Sequence, residues 1–413
     1  MKTLKQLVPA ALGATALFTL MSTAAFADCG IESGSVRILS NDFEALRIIA
    51  AAAEECASDT VTITKNQTTE HKNIQVPALS IDPAEYTVAV IANNSLVPLL
   101  NDGLVRPLDD LVAQYGQDLA PNQLIRVDGQ IMAIAFMGNS LHTYYRQDIL
   151  EEAGIEPPTS YEEMIEAAET LRSQGIMENP LGAANMAGWY LGNEFVDMYL
   201  GYGGEFFEPG SAEPAVNNEQ GIAALDMMKA LTEYMTSEYM TLNSNELKAL
   251  YDGGQIAMMN QWGSMAGGIL GGPDEEVTSN TVLAAAPTVG GNDIPAVALW
   301  WDGFAIAKNI SDEDAAASFQ AMLYGASPEV AAANPTAATW LAAGVEPGET
   351  AVGVMATANA GARAYPMAPY MELMHTALGA ELAQFMQGEE GAEQALADVE
   401  AAYRSAAQEA GFL

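Results

Sequence analysis

The chain has 413 residues, with 54 acidic against 15 basic side chains and a formal net charge of −39 at pH 7. A surface this acidic repels the phosphates of nucleic acids and anionic membranes, which excludes nucleic-acid binding. We interpret the acidity as a solubility adaptation, of the kind suited to a salty environment, rather than as a device for binding cations.

The first 27 residues have the pattern of a targeting segment. Lys2 and Lys5 precede an apolar run over 7–21, and Ala-Phe-Ala ends at Ala27. This order predicts a signal peptide over 1–27 that is cleaved near Ala27. No later apolar run reaches the ~18 residues that a membrane span needs. We therefore expect a protein that is exported to the periplasm and soluble there.

Two cysteines follow this segment, Cys29 and Cys56. Disulfides persist in exported proteins, and an even pair favours one bridge between them. Asp28 is not the small residue expected before a lipid-modified cysteine, so we expect no lipid at Cys29. The alternative is two free thiols.

Strand-like and helix-like segments alternate along the first hundred residues of the mature chain. "SVRIL", "TVTIT" and "YTVAVI" have strand character, and the run 44–53 between the first two has helical periodicity. Such alternation is typical of an α/β fold with βαβ units. Helices are also predicted over 218–234, over 312–323 with Ser311 before its first turn, and from Ser327 onwards. The mature chain exceeds one compact core, so we expect two lobes.

Catalytic and metal-binding signatures are weak. The three histidines lie far apart in sequence, and no zinc, dinucleotide or phosphate-loop spacing occurs. "GNSLH" at Gly138 only approaches a nucleophile elbow. A carboxylate pair acting on a glycosidic bond stays open, without positive support. We expect no cofactor and no enzyme activity, and a binding protein is the favoured class.

Four ordered blocks resemble one known family. "YYRQDILEEAGIEPPTSYEEMIEAAETL" (144–171) has the Tyr-Tyr strand end, Ala-Gly-Ile, Pro-Pro-Thr break and capped helix of family 1 extracellular solute-binding proteins of ABC importers. The other blocks resemble further conserved segments of that family in order and spacing: "LLNDGLVRPLDDL" (99–111), "LYDGGQIAMMNQWGS" (250–264) and "WWDGFAIAKNISDEDAAASFQAMLYGASPE" (300–329).

The resemblance implies a two-lobed periplasmic binding protein fold of type II, the Venus-flytrap arrangement, with a ligand cleft between the lobes. Crossovers are expected near 136–142, 282–290 and 325–340. The N-terminal lobe would comprise 28–138 and 288–330, and the C-terminal lobe 139–287 and 331–413. A monomer would close on its ligand and present it to the membrane permease.

The sequence departs from the family at the early cleft positions. Asn41, Asn93 and Asn94 stand where the family has aromatic or acidic residues, which argues against a long maltodextrin and leaves sugar as a class intact. Aromatic rings bind the C–H faces of sugars, and planar polar groups bind their hydroxyls. The candidate ligand-binding residues are Asn41, Asn93, Asn94, Ser95, Asn139, Trp189, Trp262, Trp300, Trp301, Asp302, Gly303, Arg363 and Tyr365.

Several of these assignments leave an alternative open. Trp262 is predicted to stack on ligand, against the alternative of a core tryptophan. Trp300 and Trp301 point in opposite directions in a strand, so at most one faces the cleft. The asparagines are equally consistent with turn positions, and Arg363 with a surface ion pair.

The predicted function is capture of a neutral carbohydrate, since Arg363 is the one base expected at the cleft. The alternatives are a polyol, a glycerol phosphate or another small osmolyte, and a secreted carbohydrate-active enzyme.

Overall fold

A computed structural model describes residues 29–413, so the predicted signal peptide and its cleavage site lie outside the described residues. The strands that it contains are, in chain order, β1 (Gly34–Ser40), β2 (Val61–Gln67), β3 (Val88–Ala92), β4 (Leu124–Val127), β5 (Gln130–Asn139), β6 (Leu141–Arg146), β7 (Leu181–Gly182), β8 (Met258–Trp262), β9 (Thr281–Ala284), β10 (Ala298–Ile306), β11 (Thr339–Trp340) and β12 (Arg363–Ala364).

The strands form two sheets. The larger has the order β11-β5-β10-β3-β1-β2, with β4 paired to β5 and β12 to β10, and the smaller has the order β7-β8-β6-β9. β1 runs parallel to β2 and β3, as the βαβ alternation predicts, whereas β10 runs antiparallel to both β3 and β5. Val88 to Ile91 are buried along β3, in agreement with a strand covered on both faces.

Helices cover both sheets. They are α1 (Glu44–Glu54), α2 (His71–Ser80), α3 (Asn93–Asn101), α4 (Asp109–Tyr115), α5 (Gln147–Ala153), α6 (Tyr161–Ser173), α7 (Trp189–Gly201), α8 (Glu219–Thr232), α9 (Ser244–Asp252), α10 (Ala266–Leu270), α11 (Glu275–Ser279), α12 (Asp312–Gly325), α13 (Pro328–Ala333), α14 (Val352–Asn359), α15 (Met371–Gln387) and α16 (Ala392–Glu409). The helices predicted over 218–234 and 312–323 and from Ser327 are confirmed as α8, α12 and α13.

The caps of two helices follow from their sequences. Ser160 accepts a hydrogen bond from the backbone N of Glu163 at the start of α6, and the Glu163 carboxylate accepts one from the backbone N of Thr159. Ser311 likewise accepts from the backbone N of Asp314 at the start of α12. These bonds satisfy backbone donors that a helix start leaves without intrahelical partners.

Cys29 and Cys56 form a disulfide with their Cα atoms 5.6 Å apart, which confirms the predicted bridge. Cys56 lies two residues beyond α1, so the bridge attaches the start of the described chain to the end of the first helix. The bridge closes a loop that contains β1 and α1, which is a structural role.

The chain passes between the two sheets at several points. β5 of the larger sheet ends at Asn139 and β6 of the smaller begins at Leu141, with the buried Ser140 between them. The chain returns between Ala284 at the end of β9 and Ala298 at the start of β10. It leaves again after β11, since the following helix α14 packs on β6 and β9.

β10 contributes side chains to several hydrophobic clusters. Ala298 and Trp300 pack in the core around α7, α8, α15 and α16, whereas Phe304 and Ile306 pack in the core around α1 and α12. Trp301 packs in a third cluster with residues of α2, α3 and β3. The opposite directions predicted for Trp300 and Trp301 are confirmed. We call each sheet with the helices that pack on it one half of the molecule, and the start of β10 lies where the two halves meet.

Candidate ligand-binding site

Five rings meet where the two halves of the molecule face each other. We call Trp189, Trp262, Trp300, Tyr365 and His375 the aromatic cluster. The Trp189 ring centroid lies 6.2 Å from that of Trp262 and 5.8 Å from that of Trp300, and Trp262 and Trp300 are also 5.8 Å apart. These tilted and edge-to-face arrangements are the ones that aromatic pairs prefer. Sequence positions 189, 262, 300, 365 and 375 are thereby brought to one place.

The cluster is held by two hydrogen bonds to the His375 ring in α15. Nδ1 of His375 lies 2.9 Å from the Tyr365 hydroxyl, and Nε2 lies 2.9 Å from the backbone O of Trp189. The imidazole also stacks on Trp189, with ring centroids 5.1 Å apart, and Tyr365 lies 4.2 Å from Trp300. Burial lowers the pKa of His375 to about 4, so its ring is neutral at pH 7.

Polar side chains from both halves lie near this cluster. We call Lys72, Asn94, Asp302 and Glu372 the polar group. The Lys72 ammonium lies 5.0 Å from the centroid of the Trp189 ring, a cation–π distance. Asn94 Nδ2 donates to the Glu372 carboxylate over 3.2 Å, and this bond joins α3 to α15. The polar group therefore spans the boundary between the two halves.

Burial and mutual attraction set the protonation of the polar group. Burial raises the pKa of Asp302 to about 7, and the Lys72 charge opposes the rise. Burial also raises the pKa of Glu372, against the attraction of Lys72 and the hydrogen bond from Asn94. The pKa of Lys72 is lowered by burial, while Glu372 and Asp302 oppose that change. One base thus faces two acids whose pKa values burial raises.

Several buried polar atoms at this boundary have no protein partner among the described residues. They are Oδ1 of Asn94, Nε1 of Trp189 and Nε1 of Trp300. Buried polar groups are nearly always hydrogen-bonded, so these atoms are candidates for a partner from outside the chain. The set contains two donors and one acceptor.

Some predicted site residues serve as joints between strands and helices. Asn93 donates to the backbone O of Leu299 and accepts from the backbone N of Trp301, which fixes α3 to β10. Ser95 accepts from the backbone N of Ala92 at the start of α3.

Asn139 plays a corresponding part where the chain first changes sheets. Its side chain accepts from the backbone N of Ser264 and donates to the Ser264 hydroxyl. The structure thus satisfies both ends of this amide internally.

The remaining predicted residues lie in different places. A Cβ added to Gly303 would meet the backbone O of Ile134 at 2.3 Å, so this glycine allows close contact of β10 with β5. Asn41 is half-buried after β1, and its side chain accepts from the backbone N of Asp42. Arg363 donates to the Glu205 carboxylate over 2.6 Å and to the backbone O of Gly204, outside the polar group.

The sequence prediction missed Lys72, Glu372 and His375 as site residues. Lys72 lies beside Trp189, whereas Arg363 pairs with Glu205, the ion pair that the sequence left open as its alternative. A local signal for Lys72 does exist: it occupies the first turn of α2, where the helix dipole disfavours a cation. Glu372 in the first turn of α15 obeys that rule and gives no such signal.

Comparison with known proteins identifies a family that matches this chain. A family model described as bacterial extracellular solute-binding protein matches residues 51–339, well over half of the 413 residues.

Within the described residues, no helix has the length and apolar character to cross a membrane, and no group of acidic, histidine or cysteine side chains could hold a metal ion.

Solved structures share the fold over nearly the whole chain. A maltose-bound protein of T. maritima has a TM-score of 0.77 at 16% identity and covers 91% of this chain and 100% of its own. An ABC transporter solute-binding protein of Agrobacterium vitis with bound D-mannitol has a TM-score of 0.73 at 19% identity, over 92% and 100%. The GacH receptor of Streptomyces glaucescens, solved unliganded and with acarbose, has a TM-score of 0.72 at 19% identity, over 90% and 98%.

Proposed function

We propose that this chain, which belongs to the family of bacterial extracellular solute-binding proteins, captures a neutral sugar or polyol for an ABC importer and delivers it to the membrane permease. The observation that carries the proposal is the mixture of donors and acceptors beside the aromatic cluster. Structural neighbours that bind maltose, D-mannitol and acarbose support this class of ligand.

A hydroxyl group both donates and accepts hydrogen bonds, so a polyhydroxylated ligand suits a site that offers both. Lys72 and the orphan indole N–H groups of Trp189 and Trp300 are donors. Asp302, Glu372 and the orphan oxygen of Asn94 are acceptors. A purely apolar ligand would leave these groups unsatisfied at a cost of ~1–3 kcal/mol each.

The charge of the polar group argues against an anionic ligand such as a glycerol phosphate. Phosphate sites bring together several arginine, lysine or backbone N–H donors. Here one ammonium faces two carboxyl groups, Asp302 and Glu372. A sugar phosphate would therefore have to enter beside two acids with a single cation in reach. We keep the polyol as the second candidate because the D-mannitol complex of a structural neighbour supports it.

We propose that the larger and smaller sheets are the cores of two lobes that close on the ligand. Among the hydrogen bonds that cross the boundary, Asn94 donates to Glu372, and Asn101 Nδ2 donates to the backbone O of Pro369 at 2.9 Å. Both join α3 to the segment that begins α15. The lobe bounds predicted from sequence stay a prediction. The predicted roles of Asn41, Trp262 and the other candidate residues likewise belong to this proposal, except that of Arg363, which pairs with Glu205.

We further propose that the protein is exported to the periplasm, acts as a monomer and performs no catalysis. The family description as extracellular supports export, and its solute-binding function supports capture without turnover. The acidic side chains Asp302 and Glu372 keep the rival of a carbohydrate-active enzyme in view, because glycosidases use carboxyl pairs.

Calorimetric titration with maltose, D-mannitol, D-galactose, ribitol and glycerol 3-phosphate tests the ligand class. We expect binding of at least one neutral compound and none of the phosphate, with a change in tryptophan emission as the cluster contacts the ligand. Binding of glycerol 3-phosphate alone would contradict the proposal. Prolonged incubation with oligosaccharides, followed by product analysis, tests the enzyme alternative, which detectable turnover would establish.

A further inference from the structure

We infer that His375 is a positioning residue, which holds Trp189 and Tyr365 of the aromatic cluster in place through two hydrogen bonds that require one particular tautomer. The ring itself is 1% exposed and is enclosed by the side chains that it holds. Its effect on ligand affinity rests on the proposed function, whereas its tautomer and its effect on the cluster do not.

The tautomer follows from what each partner is able to donate. The Trp189 backbone O is an acceptor only, so the 2.9 Å contact with Nε2 requires a hydrogen on Nε2. A neutral imidazole carries one N–H hydrogen, which leaves Nδ1 as the acceptor. The Tyr365 hydroxyl, 2.9 Å from Nδ1, must then donate its hydrogen to His375.

These two bonds reach both ends of the cluster. Trp189 is the first residue of α7 and follows Gly188, which has a φ of +98°. Tyr365 lies against Trp300, with ring centroids 4.2 Å apart, so fixing its hydroxyl also fixes the ring beneath that indole. His375 therefore determines the relative placement of two tryptophans that come from distant parts of the sequence.

The close packing of α7 on α15 depends on a glycine. A Cβ added to Gly192 would meet the backbone O of His375 at 2.9 Å and the ring atoms Cδ2 and Nε2 at 3.0 and 3.1 Å. Glycine inside a helix costs about 1 kcal/mol relative to alanine, so its presence here agrees with a requirement for space. The space is the one that the imidazole needs to reach the Trp189 carbonyl.

One turn of α15 links the cluster to the opposite half of the molecule. Glu372 precedes His375 by three residues, so the two side chains project from neighbouring positions on one helix. Glu372 accepts from Asn94 of α3, across the boundary. The helix that positions the aromatic rings is thus also the helix that contacts the other half when the two halves are together.

Nuclear magnetic resonance of protein labelled with ¹⁵N-histidine tests the tautomer directly. Long-range ¹H–¹⁵N spectra at pH 7 should show His375 as a single neutral Nε2–H form, assigned by the signals that disappear in His375→Gln. His71 and His142 are also buried and provide internal references. An Nδ1–H form, or an average of the two tautomers, would overturn the inference.

A matched pair of variants tests the positioning effect. Tyr365→Phe removes only the hydroxyl that donates to Nδ1. Tyr403→Phe removes an equally buried hydroxyl, which donates to the backbone O of Ala212 over 2.7 Å. Both should lower the melting temperature, but only Tyr365→Phe should alter the near-ultraviolet circular dichroism of the tryptophans. Equal spectral change in both variants, or none in either, contradicts a positioning role.

Titration with maltose and D-mannitol separates this inference from the proposed function. If either binds, Tyr365→Phe should weaken it by roughly two- to tenfold, the loss expected for one neutral hydrogen bond, while Tyr403→Phe leaves it unchanged. Unchanged affinity in Tyr365→Phe counts against the positioning role. If neither binds the wild-type protein, the proposed ligand class loses support, and the tautomer and the circular dichroism still decide the role of His375.

Discussion

Replacing Lys72 by Met tests the polar group most directly. Met keeps an unbranched apolar side chain of similar length and removes the ammonium, which lies 5.0 Å from the centroid of the Trp189 ring. Arg363→Met provides a matched control, because it also removes one cation from a half-buried position near the boundary. Arg363 is bonded to Glu205 and to the Gly204 backbone, outside the polar group.

The expected loss of affinity follows from the kind of bond that an ammonium makes. A hydrogen bond between a charged group and a ligand hydroxyl contributes ~1.5–3 kcal/mol, so Lys72→Met should raise Kd by roughly 10- to 150-fold. Arg363→Met should change Kd by less than about threefold, since exposed ion pairs contribute ~0–1 kcal/mol and this one does not face the cluster.

The same variant should also shift a pH dependence. Lys72 holds down the pKa of Asp302, which burial raises to about 7. Removal of the ammonium raises that pKa further, so Asp302 loses its acceptor charge at higher pH. Isothermal titration with maltose and D-mannitol between about pH 5.5 and 8.5 should show that ligand affinity falls as the pH is lowered. The midpoint of this fall should lie at a higher pH in Lys72→Met than in the wild-type protein. Unchanged affinity, or an equal loss in Arg363→Met, would refute this account of the site.

Four further outcomes are expected. Trp262→Ala should weaken sugar binding roughly tenfold with little change in melting temperature, whereas a core role predicts a stability loss of ~3–5 kcal/mol and unchanged affinity. Burial raises the pKa of Glu194 to about 8 from 4.5, so the folded state retains a proton that the unfolded state loses, and the free energy of unfolding should fall between about pH 5 and 8. Glu194→Gln should flatten that slope in urea melts, and an unaltered slope would assign it to other groups. Because the net charge is −39, the melting temperature should rise as NaCl increases from about 0.1 to 1 M, over which the Debye screening length falls from ~10 to ~3 Å. An unchanged melting temperature would contradict repulsion among the acidic side chains. Cys29 and Cys56 are 27 residues apart, so reduction of their bridge should lower the free energy of unfolding in denaturant melts by ~3–4 kcal/mol. Intact-mass analysis should confirm that both thiols are free in the reduced sample.

Local features of the fold could be predicted from the sequence because their causes are local. The Ser160–Glu163 cap, the helix after Ser311 and the alternation of the first strands each depend on residues within a few positions of one another. The bridge between Cys29 and Cys56 needed only an even pair and an exported chain. The opposite directions of the paired tryptophans in β10 follow from the two-residue period of a strand.

The polar group could not be predicted in the same way, because its members come from distant segments. Lys72 and Glu372 are 300 positions apart, and no periodicity links the start of α2 to the start of α15. The spacing of the three histidines argues only against a zinc site, because a histidine that bonds to a backbone O and a tyrosine hydroxyl, as His375 does, leaves no pattern in sequence. Such contacts are fixed by tertiary packing.

Asparagines near the boundary show a second reason for the gap between sequence and site. Asn93 and Asn139 have the residue type that binds sugar hydroxyls, yet each bonds to backbone groups that join elements of the fold. Asn94, the neighbour of Asn93, instead leaves one oxygen without a partner and reaches Glu372 across the boundary. Adjacent identical side chains thus receive different roles, because α3 turns one toward β10 and the other toward α15.

The charge of the site follows from the same balance of forces as its geometry. In a chain with 54 acids and 15 bases, a buried pair of carboxylates would repel each other and lose hydration, and ionising both would cost several kcal/mol. Two features lower this cost here. Lys72 attracts both carboxylates, and burial raises the pKa of Asp302 to about 7. Burial thereby favours the uncharged forms of the two acids, while the surface of a chain with a net charge of −39 is negative. An anionic ligand meets repulsion from that surface on approach, and a neutral ligand does not, so a molecule rich in hydroxyl groups but without charge is the one that both the surface and the site admit.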